Sequence, residues 1–226
     1  MHEIKTIIFD LDNTLYPKET GLLNEVGKRI NEFICKKFNL DYENAIVHRK
    51  KLFNEYGTTL KGLMIEEGIE PEEYLKFVHD LNTKDFLKRN EELIDVLSRI
   101  KQKKIIFTNS PKEHVLSVIK VLGIENFFSG IYDIRFLEFN NKPQKEGYDK
   151  VVKHAGINPK ESMMLDDYEH NLKPAKELGM TTVLVGNGDG SKFPYIDYYI
   201  NEIIEIEGIL KRWKNILLEL IWEELT

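Results

Sequence analysis

Asp10 and Asp12 stand two residues apart at the end of an apolar run, in the stretch Phe9-Asp10-Leu11-Asp12-Asn13-Thr14-Leu15. Two carboxylates at that spacing repel one another unless a cation or a shared proton relieves them. Acid-rich turns also cap helices and build loops, so the pair gains meaning only from its company. Phe107-Thr108-Asn109-Ser110 ends a second apolar run and leads through Pro111 into a helical pattern. A hydroxyl beside the free N–H groups of a helix start makes an anion site, and Ser110 would serve there as an N-cap. Lys142-Pro143 comes just before a further helical pattern, placing one ammonium where it could reach back over the same edge. Leu165-Asp166-Asp167 closes another apolar run, with Asn171 shortly after it.

These groups can act together only if their elements bring them to one edge. The apolar runs at residues 6–10, 105–109, 131–134, 163–166, 182–185 and, more weakly, 198–200 read as buried parallel strands. Helical patterns at 112–122, 145–155 and 171–178 separate them, and Gly123, Gly156 and Gly179 stand just past those patterns. Strand and helix alternating in this way predict an α/β fold, a doubly wound parallel sheet of Rossmann-like type. Ligands in such sheets sit outside the carboxyl ends of the strands, which is where every group named above falls.

One gap breaks the alternation. Between Asp10 and Ile105 the sequence offers helical spacing at 22–38 and 42–56, a helix after Pro71 at 72–78, and another at 91–100, but no convincing strand. Residues 16–83 are therefore expected to form a helical cap inserted after the first strand, with 1–15 and 84–226 forming the core. A last helical pattern carries Ile206, Ile209, Leu210, Trp213, Ile216, Leu217, Leu220 and Ile221 on one face. It is expected to pack on the core, with a dimer or partner face as the alternative.

Asp10, Asp12, Asp166 and Asp167 would bring up to four negative charges to one edge, against one positive charge from Lys142. A hard divalent cation with all-oxygen ligands resolves that imbalance, and Mg²⁺ suits such a set beside a phosphate.

The order Asp-x-Asp-x-Thr, Thr-Asn, Lys-Pro, Asp-Asp resembles the haloacid dehalogenase-like hydrolase superfamily over nearly the whole chain. The stretches FDLDNTLYP, YGTTLKGL, Val78-His79, Ile106–Ser110 and Asp166–Asn171 further resemble its pyrimidine 5′-nucleotidase-like branch. The resemblance implies a phosphoric monoester hydrolase in which Asp10 attacks phosphorus and becomes an aspartyl-phosphate. Asp12 would protonate the leaving oxygen and then activate water, its carboxyl held upward by burial and neighbouring acids. Thr108, the Asn109 backbone and Lys142 would bind the phosphoryl group. Mg²⁺ would be held by Asp10, the backbone carbonyl of Asp12, and the Asp166/Asp167 pair, with Asp167 favoured as the direct ligand.

Composition limits the partners. Hydrophobic residues make up 42% and charged residues 31%, and the net charge of −6 gives no basic field for nucleic-acid polymers or anionic membranes. Met1 leads into an apolar strand without a signal-peptide pattern, and no run is long enough to span a bilayer, so a cytoplasmic location is expected. Cys35, the only cysteine, reads as a buried core thiol. His79 and Lys61 read as surface side chains. The expected substrate is a small phosphorylated metabolite, and the resemblance to the nucleotidase-like branch implies a pyrimidine nucleoside 5′-monophosphate such as UMP or CMP. Phosphoglycolate, a sugar phosphate, mutase chemistry or non-catalytic binding of a phosphate ligand are the alternatives. A carbon-attacking dehalogenase is disfavoured because its subgroup lacks the second aspartate.

Overall fold

The computed structural model of the chain describes residues 2–186 and 192–225, with side chains up to residue 216. Six short strands form its sheet: β1 (Thr6–Phe9), β2 (Lys103–Phe107), β3 (Gly130–Tyr132), β4 (Ser162–Asp166), β5 (Thr181–Val185) and β6 (Tyr198–Ile200). They lie in the order β3-β2-β1-β4-β5-β6, and every pairing is parallel. The strand order reverses at β1, so a crevice opens beyond the carboxyl ends of β1, β2 and β4. The observed strands begin one or two residues earlier than the apolar runs suggest in β2, β3, β4 and β5. Polar Lys103, Ser162 and Thr181 join the hydrogen-bond ladder that hydrophobicity alone does not reveal.

Side-chain alternation along the strands builds two cores. Ile7, Phe9, Ile106, Met163, Leu165 and Val183 share one face with the apolar stripes of α5 (Glu91–Arg99) and α6 (Lys112–Leu122). Ile8, Ile105, Phe107, Met164 and Leu184 share the other with α7 (Lys145–Ala155) and α8 (Glu169–Glu177). The α8 start lies two residues before the predicted one, because Tyr168 to His170 are polar or exposed and carry no periodic signal.

Between β1 and β2 stand α1 (Leu22–Phe38), α2 (Tyr42–Tyr56), α3 (Thr59–Glu67) and α4 (Pro71–Val78). Asp41 caps α2 by accepting from the Asn44 N–H at 2.8 Å, and Thr58 caps α3 by accepting from the Lys61 N–H at 3.2 Å. Helix α3 is absent from the sequence reading. Its stripe is blurred by exposed Ile65 and by Gly62, a poor helix former. Gly62 is there for packing: a Cβ on it would stand 2.7 Å from Leu52 Cδ2 and 2.8 Å from Leu52 Cβ. The four helices join the second core through Phe33, Leu52, Leu63, Tyr74 and Val78. Arg135 adds a polar tie, donating to Glu72 at 2.7 and 2.8 Å and to Glu113 at 2.7 Å.

The last helix, α9 (Ile206–Leu225), buries Ile206 and Ile209 in the first core, and Leu210 and Trp213 pack against it. Trp213 Nε1 donates to the His2 carbonyl at 2.9 Å, and its ring meets Tyr198 edge-on at 6.1 Å. The first half of the helix therefore packs on the sheet, whereas Ile216 is 37% exposed. Leu217, Leu220 and Ile221 lie outside the described side chains. Cys35 is half-buried rather than part of the core, since it sits at the edge of the α1 stripe. No helix among the described residues is long and apolar enough to cross a membrane.

Candidate active site

Asp10 is the first residue beyond β1, and its N–H donates to the Leu165 carbonyl at 2.9 Å, extending the ladder to β4 by one rung. That rung places Asp10 beside Asp166 at the end of β4. Lys142 stands between them, donating from Nζ to Asp10 Oδ1 at 2.7 Å and to Asp166 Oδ2 at 2.6 Å. Its side chain is only 1% exposed and that of Asp166 is fully buried. Asn109 positions the lysine by a two-sided clamp. Its Oδ1 accepts from the Lys142 N–H at 2.8 Å, and its Nδ2 donates to the Lys142 carbonyl at 3.1 Å. The second oxygen of Asp166 accepts from the Tyr168 N–H at 3.0 Å and from Asn171 Nδ2 at 2.9 Å. Asp167 accepts from Asn13 Nδ2 at 3.1 Å, in a loop where Asn13 takes a left-handed φ of 60°.

Charge in this cluster is unbalanced. Burial pushes the Asp10 carboxyl well above its usual range; Lys142 opposes this, while Asp166, Asp167 and Asp12 add to it. Burial and then the charge of Asp166 push Asp167 up to about 7. Burial alone would lower Lys142, but Asp10 and Asp166 outweigh it and hold the ammonium charged. Asp10, Asp166 and Asp167 each offer one oxygen, all within 4.8 Å of one another. Three carboxylates converging on one another, two of them held by Lys142, make an oxygen-only, electron-rich donor set, which fits a hard divalent cation. Asp166 has both oxygens engaged by protein donors, whereas Asp167 has only one so engaged.

The side chain of Asp12 does not join that set. Tyr16 donates to Asp12 Oδ1 at 2.5 Å, His114 Nε2 approaches the same oxygen at 2.8 Å, and Ser110 donates to Oδ2 at 2.5 Å. Burial acts to raise Asp12, but the charge and hydrogen bond of His114, with those of Ser110 and Tyr16, hold it below the usual carboxylate range. The upward shift expected from neighbouring acids is thus reversed, because three donors reach Asp12 while the other carboxylates lie farther away. Ser110 does not cap α6 as the sequence suggests. Asp133 accepts from the Lys112 N–H at 3.0 Å instead, which leaves the Ser110 hydroxyl for Asp12.

Tyr16 and His114 escaped the sequence reading. A signal for His114 existed: it interrupts the apolar face of α6 beside Val115 and Val118, where a polar residue needs a partner. His79 is half-buried, not on the surface, with its ring 5.0 Å from that of His114. Burial and then the His114 charge bring it down to about 4.

Asp10, Asp12, Thr108, Asn109, Lys142 and Asp167 all line one cavity of about 350 Å³. The helices between β1 and β2 line it as well, α1, α2, α3 and α4 all contributing, through residues that include Val26, Arg49, Leu60 and Tyr74. A six-stranded parallel sheet of this order, with a carboxylate cluster at its switch point and helices walling the crevice, is a Rossmann-like α/β fold with a polar cavity at the carboxyl ends of its strands.

The chain belongs to the haloacid dehalogenase-like hydrolase family, whose model matches residues 4–179. Among curated relatives, it is 31% identical over 195 residues to "Phosphate metabolism protein 8" of Saccharomyces cerevisiae, covering 80% of this chain and 61% of that protein. The chain thus spans about three-fifths of the length of that yeast relative. A "Glyceraldehyde 3-phosphate phosphatase" of Methanocaldococcus jannaschii is 27% identical, covering 94% of this chain and 99% of the relative. The fold is shared with a HAD phosphatase from Thermococcus onnurineus, at a TM-score of 0.65 and 21% identity, over 92% of this chain and 98% of that one.

Proposed function

We propose that this protein is a Mg²⁺-dependent phosphomonoester hydrolase that works through an aspartyl-phosphate on Asp10. The observation that carries this reading is the convergence of Asp10, Asp166 and Asp167 within 4.8 Å, beside the buried Lys142, at the floor of a cavity. Asp10, the Asp12 carbonyl and Asp167 would hold the cation, with Asp166 as a further ligand or one water away. When bound, it would neutralise phosphate charge and steady the carboxylates.

In the first step an Asp10 oxygen bonds to phosphorus as the bond to the leaving oxygen breaks, and that oxygen takes a proton from Asp12. Asp12 then withdraws a proton from water, whose oxygen attacks phosphorus and restores the Asp10 carboxylate. The three donors on Asp12 favour its ionised form, suited to this second step. An incoming phosphate dianion works against that preference, so substrate charge itself raises Asp12 towards its role as acid. Lys142, Thr108 and the Asn109 N–H would contact the phosphoryl oxygens.

In this reading residues 16–83 form a cap and 1–15 with 84–226 form the core. A cavity of about 350 Å³ with one wall from each suits a small metabolite and not a polymer. The proposed leaving group is a pyrimidine nucleoside, resting on the branch-like stretches YGTTLKGL and Val78-His79. The test is phosphate release from UMP, CMP, AMP, phosphoglycolate, glyceraldehyde 3-phosphate, pyrophosphate and hexose phosphates, with Mg²⁺ and with excess chelator. Activity that survives chelation contradicts the metal reading. A non-nucleotide preferred by more than roughly tenfold contradicts the nucleoside reading alone.

A further inference from the structure

The cap wall of the cavity contains a cation that the catalytic chemistry does not use. Arg49, on α2, lines the cavity and is half-buried. Its Nη1 donates to the Gly27 carbonyl at 2.8 Å and lies 3.5 Å from Asn31 Oδ1, which fixes the guanidinium against α1. Asn31 is in turn oriented by a bond from its Nδ2 to the Tyr42 hydroxyl at 3.2 Å. Among the described residues no carboxylate lies within ion-pair distance of Arg49, and its Nε and Nη2 donate to no protein group. By contrast, Arg29 on α1 reaches Asp80 at 3.9 Å, and Arg135 reaches Glu72 and Glu113 at 2.7 Å.

A second unused donor stands beside it. Tyr74, on α4, is 4% exposed and lines the same cavity, and its hydroxyl bonds to no described residue. Burial pushes that hydroxyl up and the nearby charge of Arg49 pulls it down, which places the two groups in one another's field. The surrounding wall is apolar, with Val26, Ile30, Phe53 and Leu75. A fork of N–H groups and a hydroxyl that line the cavity from an otherwise apolar wall leave several donors available to a ligand there.

From these residues we infer that Arg49 and Tyr74 form a distal subsite that binds an oxygen acceptor, a carbonyl or a carboxylate, on the leaving group of the substrate. The inference rests on the phosphatase reading of the floor. It deepens that reading by requiring a substrate that carries its phosphate at one end and an acceptor oxygen at the other. Gly27 is part of the device. A Cβ there would stand 2.9 Å from Arg49 Nη1 and 3.0 Å from Nη2, so only a glycine lets the guanidinium rest in this place. In the interior of α1, Gly27→Ala favours the helix, and the colliding group is the far end of a flexible side chain. The substitution should displace the guanidinium and leave the fold intact.

The experiment measures kcat/KM for three substrates in Mg²⁺, using the full chain and its Arg49→Ala, Gly27→Ala and Tyr74→Phe variants. UMP carries a base carbonyl, phosphoglycolate carries a carboxylate, and phenyl phosphate carries neither. The readout is the ratio of each of the first two to phenyl phosphate. The wild-type protein should favour at least one of the two. That ratio should fall roughly ten- to a hundredfold in Arg49→Ala and Gly27→Ala, the loss expected for a hydrogen bond from a charged donor. Tyr74→Phe should lower it less. A fall confined to UMP identifies a base carbonyl, and one confined to phosphoglycolate a carboxylate. Ratios that stay constant in both Arg49→Ala and Gly27→Ala overturn the subsite, as does a wild-type protein that favours neither substrate. If none of the three substrates is hydrolysed, it is the phosphatase reading that fails.

Discussion

Replacing Lys142 with methionine removes one charge from a fully enclosed place and leaves two carboxylates facing each other. At 2.7 and 2.6 Å the ammonium attracts Asp10 and Asp166 by roughly 6 kcal/mol each at an effective dielectric near 20. Most of that gross attraction offsets the cost of burying three charges, so the net effect is set by what the deletion strands. Breaking a buried pair by removing one partner costs about 3–5 kcal/mol. For a chain of this size that corresponds to a fall in Tm of about 6–20 °C. The loss must depend on pH. Without the lysine, which opposes the upward push of burial, Asp10 binds its proton more tightly in the folded than in the unfolded chain, so stability falls as pH rises above about 4. Lys142→Met should therefore lose less at about pH 5.5 than at about pH 7.5, and Mg²⁺ should restore part of the loss at the higher pH. Urea unfolding followed by circular dichroism, with Mg²⁺ and with chelator, measures this. A loss under about 1 kcal/mol, or one equal at both pH values, would refute the counter-charge role.

Asp167, pushed up to about 7, must release its proton to accept a cation, so apparent Mg²⁺ affinity should weaken about tenfold per pH unit below that value in calorimetric titrations. Affinity that is flat between about pH 5.5 and 7.5 would exclude it as a ligand. His114→Ala should release Asp12 towards ordinary carboxylate values, destabilise the chain by about 1–3 kcal/mol and move the acid limb of the kcat profile to higher pH. Asp12 is held low, so its share of stability is present above about pH 4 and is lost on acidification; in His114→Ala that loss should shrink. Ile206→Ala and Ile209→Ala, each emptying a place in the first core, should cost about 2–5 kcal/mol apiece by denaturant unfolding. Values near zero would mean that α9 is not part of the core.

The sheet edge could be read from the sequence because its groups are tied to strand ends, and strand ends follow from buried apolar runs. Asp10, Thr108 and Asp166 needed only the parallel order to meet. Lys142 is not on a strand, yet the Asn109 clamp brings it to the same place. The ligands of Asp12 were hidden because Tyr16, Ser110 and His114 meet it only through the turn after β1 and the rotation of α6. No spacing rule encodes either feature. Helix α3 was missed because Gly62 trades helix propensity for close packing on Leu52. Arg49 and Tyr74 lie on helices joined by no pattern, and only the packing of the insert sets them in one wall.

The central claim is that Asp10 takes the phosphoryl group, and the most direct test is to find it there. Wild-type protein should be mixed with a turned-over phosphomonoester and Mg²⁺, quenched in acid within the first turnover, digested, and mapped by mass spectrometry. The account predicts a phosphoryl group on the peptide carrying Asp10, absent from Asp10→Asn, whose turnover should also vanish. Full turnover by Asp10→Asn, or a wild-type protein that turns over while every quenched sample lacks that modification, would contradict it.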